Sequence, residues 1–290
     1  MSLLTPEELR ELRRLHVHVG RRTDALFSGD YRSAVRGRGM EFEEVRAYVP
    51  GDDVRHLDWN VTARTGEPFV KIFREERQVT VYLLVDVSGS THTGSGGRDG
   101  RTDRRLQIAR VAGGLAYAAN QNRDHVGLVT FTDQVEQVIQ PRRARGHGWA
   151  IIREVYSAQA RGVGTDVAGA IKFLHSHQRR RCVVVVISDF LDEGPWASAM
   201  GTLAHRHQVH AVLVDDPMEH ALGSLGLVEI EDAETGQSRL IDGARLVPHW
   251  GVEHRLRELR RCGASPVHIS TKDDAFQLLH QHFQRHARKR

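Results

Sequence analysis

Residues 183–187 read Val-Val-Val-Val-Ile, inside the segment "RCVVVVISDF" (Arg181 to Phe190). Successive residues of a strand point to opposite faces, so an unbroken apolar run has to be covered on both sides. Strands of that kind belong in the interior of a parallel sheet sandwiched between helices. This one segment therefore constrains the fold more than any other stretch of the chain.

The neighbouring sequence agrees with it. From Gln78 onward, strand and helix patterns alternate. Strands are expected at Val79–Val85, His125–Phe131, Gln134–Gln140, Gln208–Asp216 and Pro266–Ser270. Helices are expected at Asp103–Asn122, Gly146–Ala158, Asp166–His177, Pro195–His207 and His249–Gly263, with a last one after Lys272. The pair around Thr132-Asp133 reads as a hairpin adding an edge strand. Residues 226–242 read as an inserted hairpin turning at Glu234-Thr235-Gly236. The expectation is an α/β, Rossmann-like domain over residues 78–290, with a mostly parallel central sheet and helices on both faces.

Residues 1–77 do not alternate in this way and are expected to be an extension laid against that domain. Arginines and acids crowd together in "GRGMEFEEVRAYVPGDDVRHLDWNVTAR" (Gly37 to Arg64), around a Pro50-Gly51 turn. "DVRHLDWNV" fits one short helix capped by Asp52 or Asp53, with Val54, Leu57 and Val61 on one face and Trp59 largely buried. Arg38, Arg46, Asp52, Asp53, Asp58 and Trp59 are candidates for a partner surface, since Arg and Trp favour binding hot spots. An ion-pair network pinning the extension to the main domain is the preferred reading of the same residues.

Open α/β sheets bind ligands at the carboxyl ends of their strands, near the switch point. In "VYLLVDVSGS" (Val81 to Ser90) a strand ends in Asp86, and Ser88 and Ser90 follow at alternate positions. Asp189 ends the valine-rich strand, and Thr165 lies in the loop "GVGTD". All five side chains offer hard oxygen, and magnesium takes six such ligands in an octahedron. Asp86, Ser88, Ser90, Thr165 and Asp189 are therefore the expected metal ligands, with a position left for water or an incoming acid. Magnesium is the expected ion, with manganese or calcium as alternatives. Serines that merely form turns, and an aspartate that merely caps a helix, would be the plain reading of each fragment alone.

The pattern D-x-S-x-S, then T, then D after an apolar strand resembles the metal-ion-dependent adhesion site of von Willebrand factor A (vWA) domains. From roughly Gly29 to Asp242 the chain also resembles the bacterial family catalogued as domain of unknown function 58. That resemblance implies a protein-interaction module acting with a MoxR-type AAA+ ATPase in assembly or maturation of other proteins. It implies a partner that offers an acidic residue to the metal. Relatives often follow the second serine with methionine and a short loop, whereas here Thr91 and "HTGSGGRDGRTD" stand in that place.

Rival functions fit less well. The glycines of "GSGGRDG" (Gly94 to Gly100) lie too far past the strand for a dinucleotide fingerprint, and there is no G-x-x-x-x-G-K-[ST] loop. A metal-dependent phosphoesterase using the same carboxylates is the alternative, but Ser88 stands where a second aspartate would be needed. The chain is accordingly expected to be non-enzymatic. A net charge of +4 with a basic tail (Arg285 to Arg290) carries no nucleic-acid signature, so no nucleic-acid partner is expected. No apolar run reaches membrane-span length and no signal-peptide core opens the chain, so a cytoplasmic protein is expected. Cys182 and Cys262 read as small buried hydrophobes. The histidine clusters at His205–His210 and His280–His286 read as solvated faces.

Overall fold

The computed structural model describes residues 10, 13, 14, 16–20, 22, 40–75, 79–92, 104–144, 146–217, 227–231, 238–242 and 251–288. They fall into two compact units, Arg36–Val79 and the combination of Met1–Val35 with Thr80–Arg290. The expected turn at Glu234-Thr235-Gly236, the glycine-rich stretch 93–100 and Arg38 lie outside the described residues.

In the larger unit, β3 (Thr80–Asp86), β4 (His125–Phe131), β5 (Val135–Arg142), β6 (Val183–Ser188), β7 (Gln208–Asp215) and β10 (Ser265–Ser270) form one sheet. The strand order is β10-β7-β6-β3-β4-β5. Every pairing is parallel except β4 with the edge strand β5. This is the α/β class expected, a mostly parallel sheet with an antiparallel edge strand. β8 (Leu227–Glu231) and β9 (Ser238–Asp242) form the separate hairpin.

The helices of this unit are α2 (Arg104–Gln121), α3 (His147–Ser157), α4 (Val167–His177), α5 (Trp196–Arg206), α6 (Val252–Arg261) and α7 (Ala275–Arg288). Alternation sorts the strand residues between the two helical layers. Tyr82, Leu84, Val184, Val186 and Leu213 face a core shared with Ile171 and Leu174 of α4, Leu203 of α5 and Leu259 of α6. Val81, Leu83 and Val85 are buried on the opposite face, where α2 packs on α3 and α7. Gly113 makes that layer possible, because a Cβ there would collide with Ile152 of α3. Residues 16–20 are helical and lie against the same layer, with the His16 ring 5.4 Å from Tyr117 and 4.9 Å from Trp149.

The histidine clusters are not solvated faces throughout. His207, His210 and His282 are buried, and His210 Nδ1 lies 2.9 Å from His282 Nε2. Strand periodicity turns His210 inward and helical periodicity turns His282 inward, while His207 is buried at the C-cap of α5. His207 also sits 3.2 Å from the sulfur of buried Cys182, while Cys262 is only half-buried.

In the smaller unit, β1 (Met40–Ala47) pairs antiparallel with β2 (Phe69–Glu75), with a bulge between Phe42 and Glu44. The single helix expected after Pro50-Gly51 is two pieces: a 3₁₀ turn at Val54–His56 and α1 (Trp59–Thr65). Asp53 caps the first by accepting from Arg55 N–H, and Asp58 caps the second by accepting from Asn60 and Val61 N–H. An extended Leu57 between two cap carboxylates stops one helix from running through.

Candidate functional site

The chain adds β4 on one side of β3 and later β6 on the other. The connections after β3 and β6 leave on opposite faces of the sheet, through α2 and α5 respectively. β3 and β6 therefore flank the switch point, and they end on Asp86 and Ser188.

Asp86 is fully buried. Its Oδ1 accepts from Ser88 N–H at 2.9 Å, and its Oδ2 accepts from the Ser188 hydroxyl at 2.8 Å. The Ser88 and Ser90 hydroxyls are 3.1 Å apart, and Ser90 Oγ lies 3.5 Å from Asp189 Oδ2. The serines converge because Gly89–His92 curls into a 3₁₀ turn, not by the alternation of an extended loop. Thr91 closes that turn, donating from its N–H at 3.1 Å and its hydroxyl at 2.7 Å to the Ser88 carbonyl.

Burial, and after it the negative charge of Asp189, push the Asp86 carboxyl up to about 6, against hydrogen bonds from Ser88 and Ser188. A buried carboxyl raised by a neighbouring negative charge is a place where a cation is favoured. Bonds of ~2.1 Å in an octahedron put adjacent oxygens about 3 Å apart, close to the spacing of the two serine hydroxyls. The donor set thus fits a small hard cation. Among the described residues no cluster of three or more His, Cys, Asp or Glu is placed to hold a metal, so this set is one of carboxylates and hydroxyls.

Asp86, Ser88, Ser90 and Asp189 are brought together. Thr165, half-buried in the loop before α4, stands at the same edge of the sheet. Its loop is fixed from the β4–β5 side. Glu136 Oε1 accepts from Arg161 and Gly162 N–H, both at 2.9 Å, and Asp166 N–H donates to the Thr132 carbonyl at 2.9 Å. Gly162 approaches Thr132 and Asp133 so closely that a Cβ would not fit. Phe190, just past Asp189, is buried at φ 56°, a costly conformation for a bulky residue and a mark of strain beside the site.

Three arginines that the sequence did not single out complete the surroundings. Arg104 Nη1 donates to Asp189 Oδ2 and to the Ser90 carbonyl, both at 3.1 Å. Arg105 donates to the carbonyls of Val87 at 3.2 Å and Ala158 at 2.9 Å, and to Thr91 Oγ1 at 3.2 Å. Arg255 of α6 donates to the Asp189 carbonyl. One signal for the first two was available: cations in the first turn of a helix oppose its dipole, so a pair at the start of α2 needs acceptors elsewhere.

Within the smaller unit, most candidate partner residues are engaged internally. Arg46 holds Asp52 through two hydrogen bonds, at 2.8 and 2.7 Å. Asp53 and Asp58 are the caps already described, and Lys71 Nζ lies 3.4 Å from Asp58. Trp59 is 71% exposed, against the expectation of burial, because the first turn of so short a helix aims it outward.

A family model described as "Protein of unknown function DUF58" matches residues 44–248. The uncharacterized protein Rv1480 of Mycobacterium tuberculosis is 32% identical over 278 residues, covering 93% of this chain and 86% of that protein. Among solved structures, the conserved hypothetical protein BatB from Bacteroides thetaiotaomicron has a TM-score of 0.50 at 17% identity, covering 72% of this chain and 99% of that one. An aerotolerance-related membrane protein from Bacteroides fragilis has a TM-score of 0.50 at 15% identity, covering 73% and 100%. These two likenesses concern the fold. No helix among the described residues is long and apolar enough to cross a membrane.

Proposed function

We propose, from the premise that the chain belongs to the DUF58 family, that it is a protein-interaction module built around one divalent cation, magnesium by preference. Asp86, Ser88, Ser90, Thr165 and Asp189 would hold the ion, some of them through water. When bound, the ion supplies an open coordination position with a strong preference for charged oxygen. The chain's own residues set the geometry. Ser188 orients the Asp86 carboxylate, the Gly89–His92 turn presents the two hydroxyls, and Glu136 holds the loop that carries Thr165.

The observation that carries this reading is the 3.1 Å approach of the Ser88 and Ser90 hydroxyls beside a buried carboxylate at the switch point. Both oxygens of Asp86 already accept a hydrogen bond, which suits a fixed ligand better than an attacking nucleophile. The partner is a protein offering an Asp or Glu, and a MoxR-type AAA+ ATPase or its client is the candidate that the family resemblance suggests. Calorimetric titration with magnesium chloride should give one site, absent in a folded Asp86→Ala variant. Capture of the ATPase should be lost in EDTA and return with magnesium. A variant that binds magnesium as the parent does would overturn the assignment.

A further inference from the structure

The first residue of α2 is the most deeply buried long charged side chain at the site. Arg104 is 1% exposed, and the Asp189 it pairs with is 6% exposed. A single nitrogen, Nη1, bridges the carboxylate of Asp189 and the main chain of Ser90, so one guanidinium joins two of the ligand-bearing segments. Arg255 reaches the same aspartate from the other helical layer, but through its carbonyl and not its carboxylate. Arg104 therefore supplies a positive charge at the oxygen that a cation would share with Ser90.

We propose that Arg104 is a built-in competitor for the metal. Its guanidinium and the cation contend for Asp189, so loading requires Arg104 to release that carboxylate and with it the Ser90 carbonyl. The inference rests on reading Asp86, Ser88, Ser90 and Asp189 as a cation site. A resident cation weakens binding of a second one by repulsion, and more so where water is excluded. It also keeps Asp189 paired when no metal is bound, which avoids the cost of a buried carboxylate left without a counter-charge. The consequence is an exchangeable site, responsive to cation concentration, in place of a permanently filled one. Released Arg104 stays beside the open position, where its planar fork suits a carboxylate brought by a partner.

The test is calorimetric titration of the full chain with magnesium chloride, on the parent, Arg104→Met, Arg104→Lys and Asp86→Ala. The expected result is that Arg104→Met binds on the order of ten-fold or more tightly than the parent, while Arg104→Lys, which keeps the charge, stays near it. A parent that binds alongside an equal or weaker Arg104→Met overturns the competition and leaves the cation site standing. Absence of binding in the parent, Arg104→Met and Asp86→Ala alike overturns both. Should Arg104→Met fail to fold, the parent answers by NMR of arginine side-chain Nε–Hε signals during the titration. The Arg104 signal is expected to shift together with the amides of Ser88 and Ser90. An Arg104 signal that stays fixed while those amides move overturns the proposal.

Discussion

The Ser188 hydroxyl donates to Asp86 Oδ2 at 2.8 Å, across 102 residues of chain, and accepts from Phe190 N–H at 3.1 Å. The last residue of β6 thereby orients the carboxylate at the end of β3. Ser188→Ala removes this bond and strips Phe190 N–H of its acceptor. It should cost about 1–3 kcal/mol of stability and weaken magnesium binding. Urea melts with and without magnesium separate the two effects, and unchanged affinity would mean that Asp86 needs no such support.

Asp86→Asn should stabilise the metal-free protein at pH 7. The folded carboxyl titrates near 6, above its unfolded value of 3.8, so the native state holds the proton more firmly. Its favourable contribution is complete below pH 3.8 and is lost as pH rises through 6, a difference of up to about 3 kcal/mol. The gain from Asp86→Asn should therefore be largest at pH 7 and vanish near pH 4. Magnesium should stabilise the parent and not the variant, as melting temperatures at both pH values would reveal.

Histidine acts in the opposite direction. Burial, reinforced by His286 and Arg285, lowers His282 to about 3, and burial with His175, Arg206 and Arg181 lowers His207 to about 4. Both are neutral when folded and gain a proton on unfolding. Their contribution is present above pH 6.5 and is lost as pH falls toward those values, about 2 kcal/mol for His282 by pH 5. His282→Gln should flatten the acid limb of a stability profile recorded between pH 7 and pH 5. A profile as steep as the parent's would show that His282 is not what makes the fold acid-sensitive.

Trp59→Ala should change stability by no more than about 0.5 kcal/mol, because the side chain is mostly in solvent. A loss of several kcal/mol in denaturant would mean that the ring is packed away in solution. If stability holds while binding of the partner falls, the exposed ring is a contact.

The parts of the fold that the sequence disclosed are those where one physical signal dominates. Val183–Ile187 could only be an inner strand, and the positions of Asp86 and Asp189 at strand ends followed from that. The antiparallel pairing of β1 with β2 was not visible, because "MEFEEVRA" alternates charge as much as it alternates hydrophobicity. His207, His210 and His282 were misread for a related reason: a polar residue type does not announce a buried position unless the face of its element is known. The site divides in the same way. The oxygen-bearing side chains of Asp86, Ser88 and Ser90 form a recognisable spacing along the chain, whereas Arg104, Arg255 and Ser188 act through contacts made only after the helices and strands have packed.

The pairing of β3 with β6 has a kinetic side. The β4–β5 hairpin closes over a few residues, but β3 meets β6 only after about a hundred residues of intervening chain have been gathered in. Contacts so distant in sequence are slow to form and tend to come late in folding. A cation held between the ends of those two strands would then be bound by the native state and scarcely by the transition state that precedes it. Its presence would leave the refolding rate almost unchanged and lengthen the lifetime of the folded molecule.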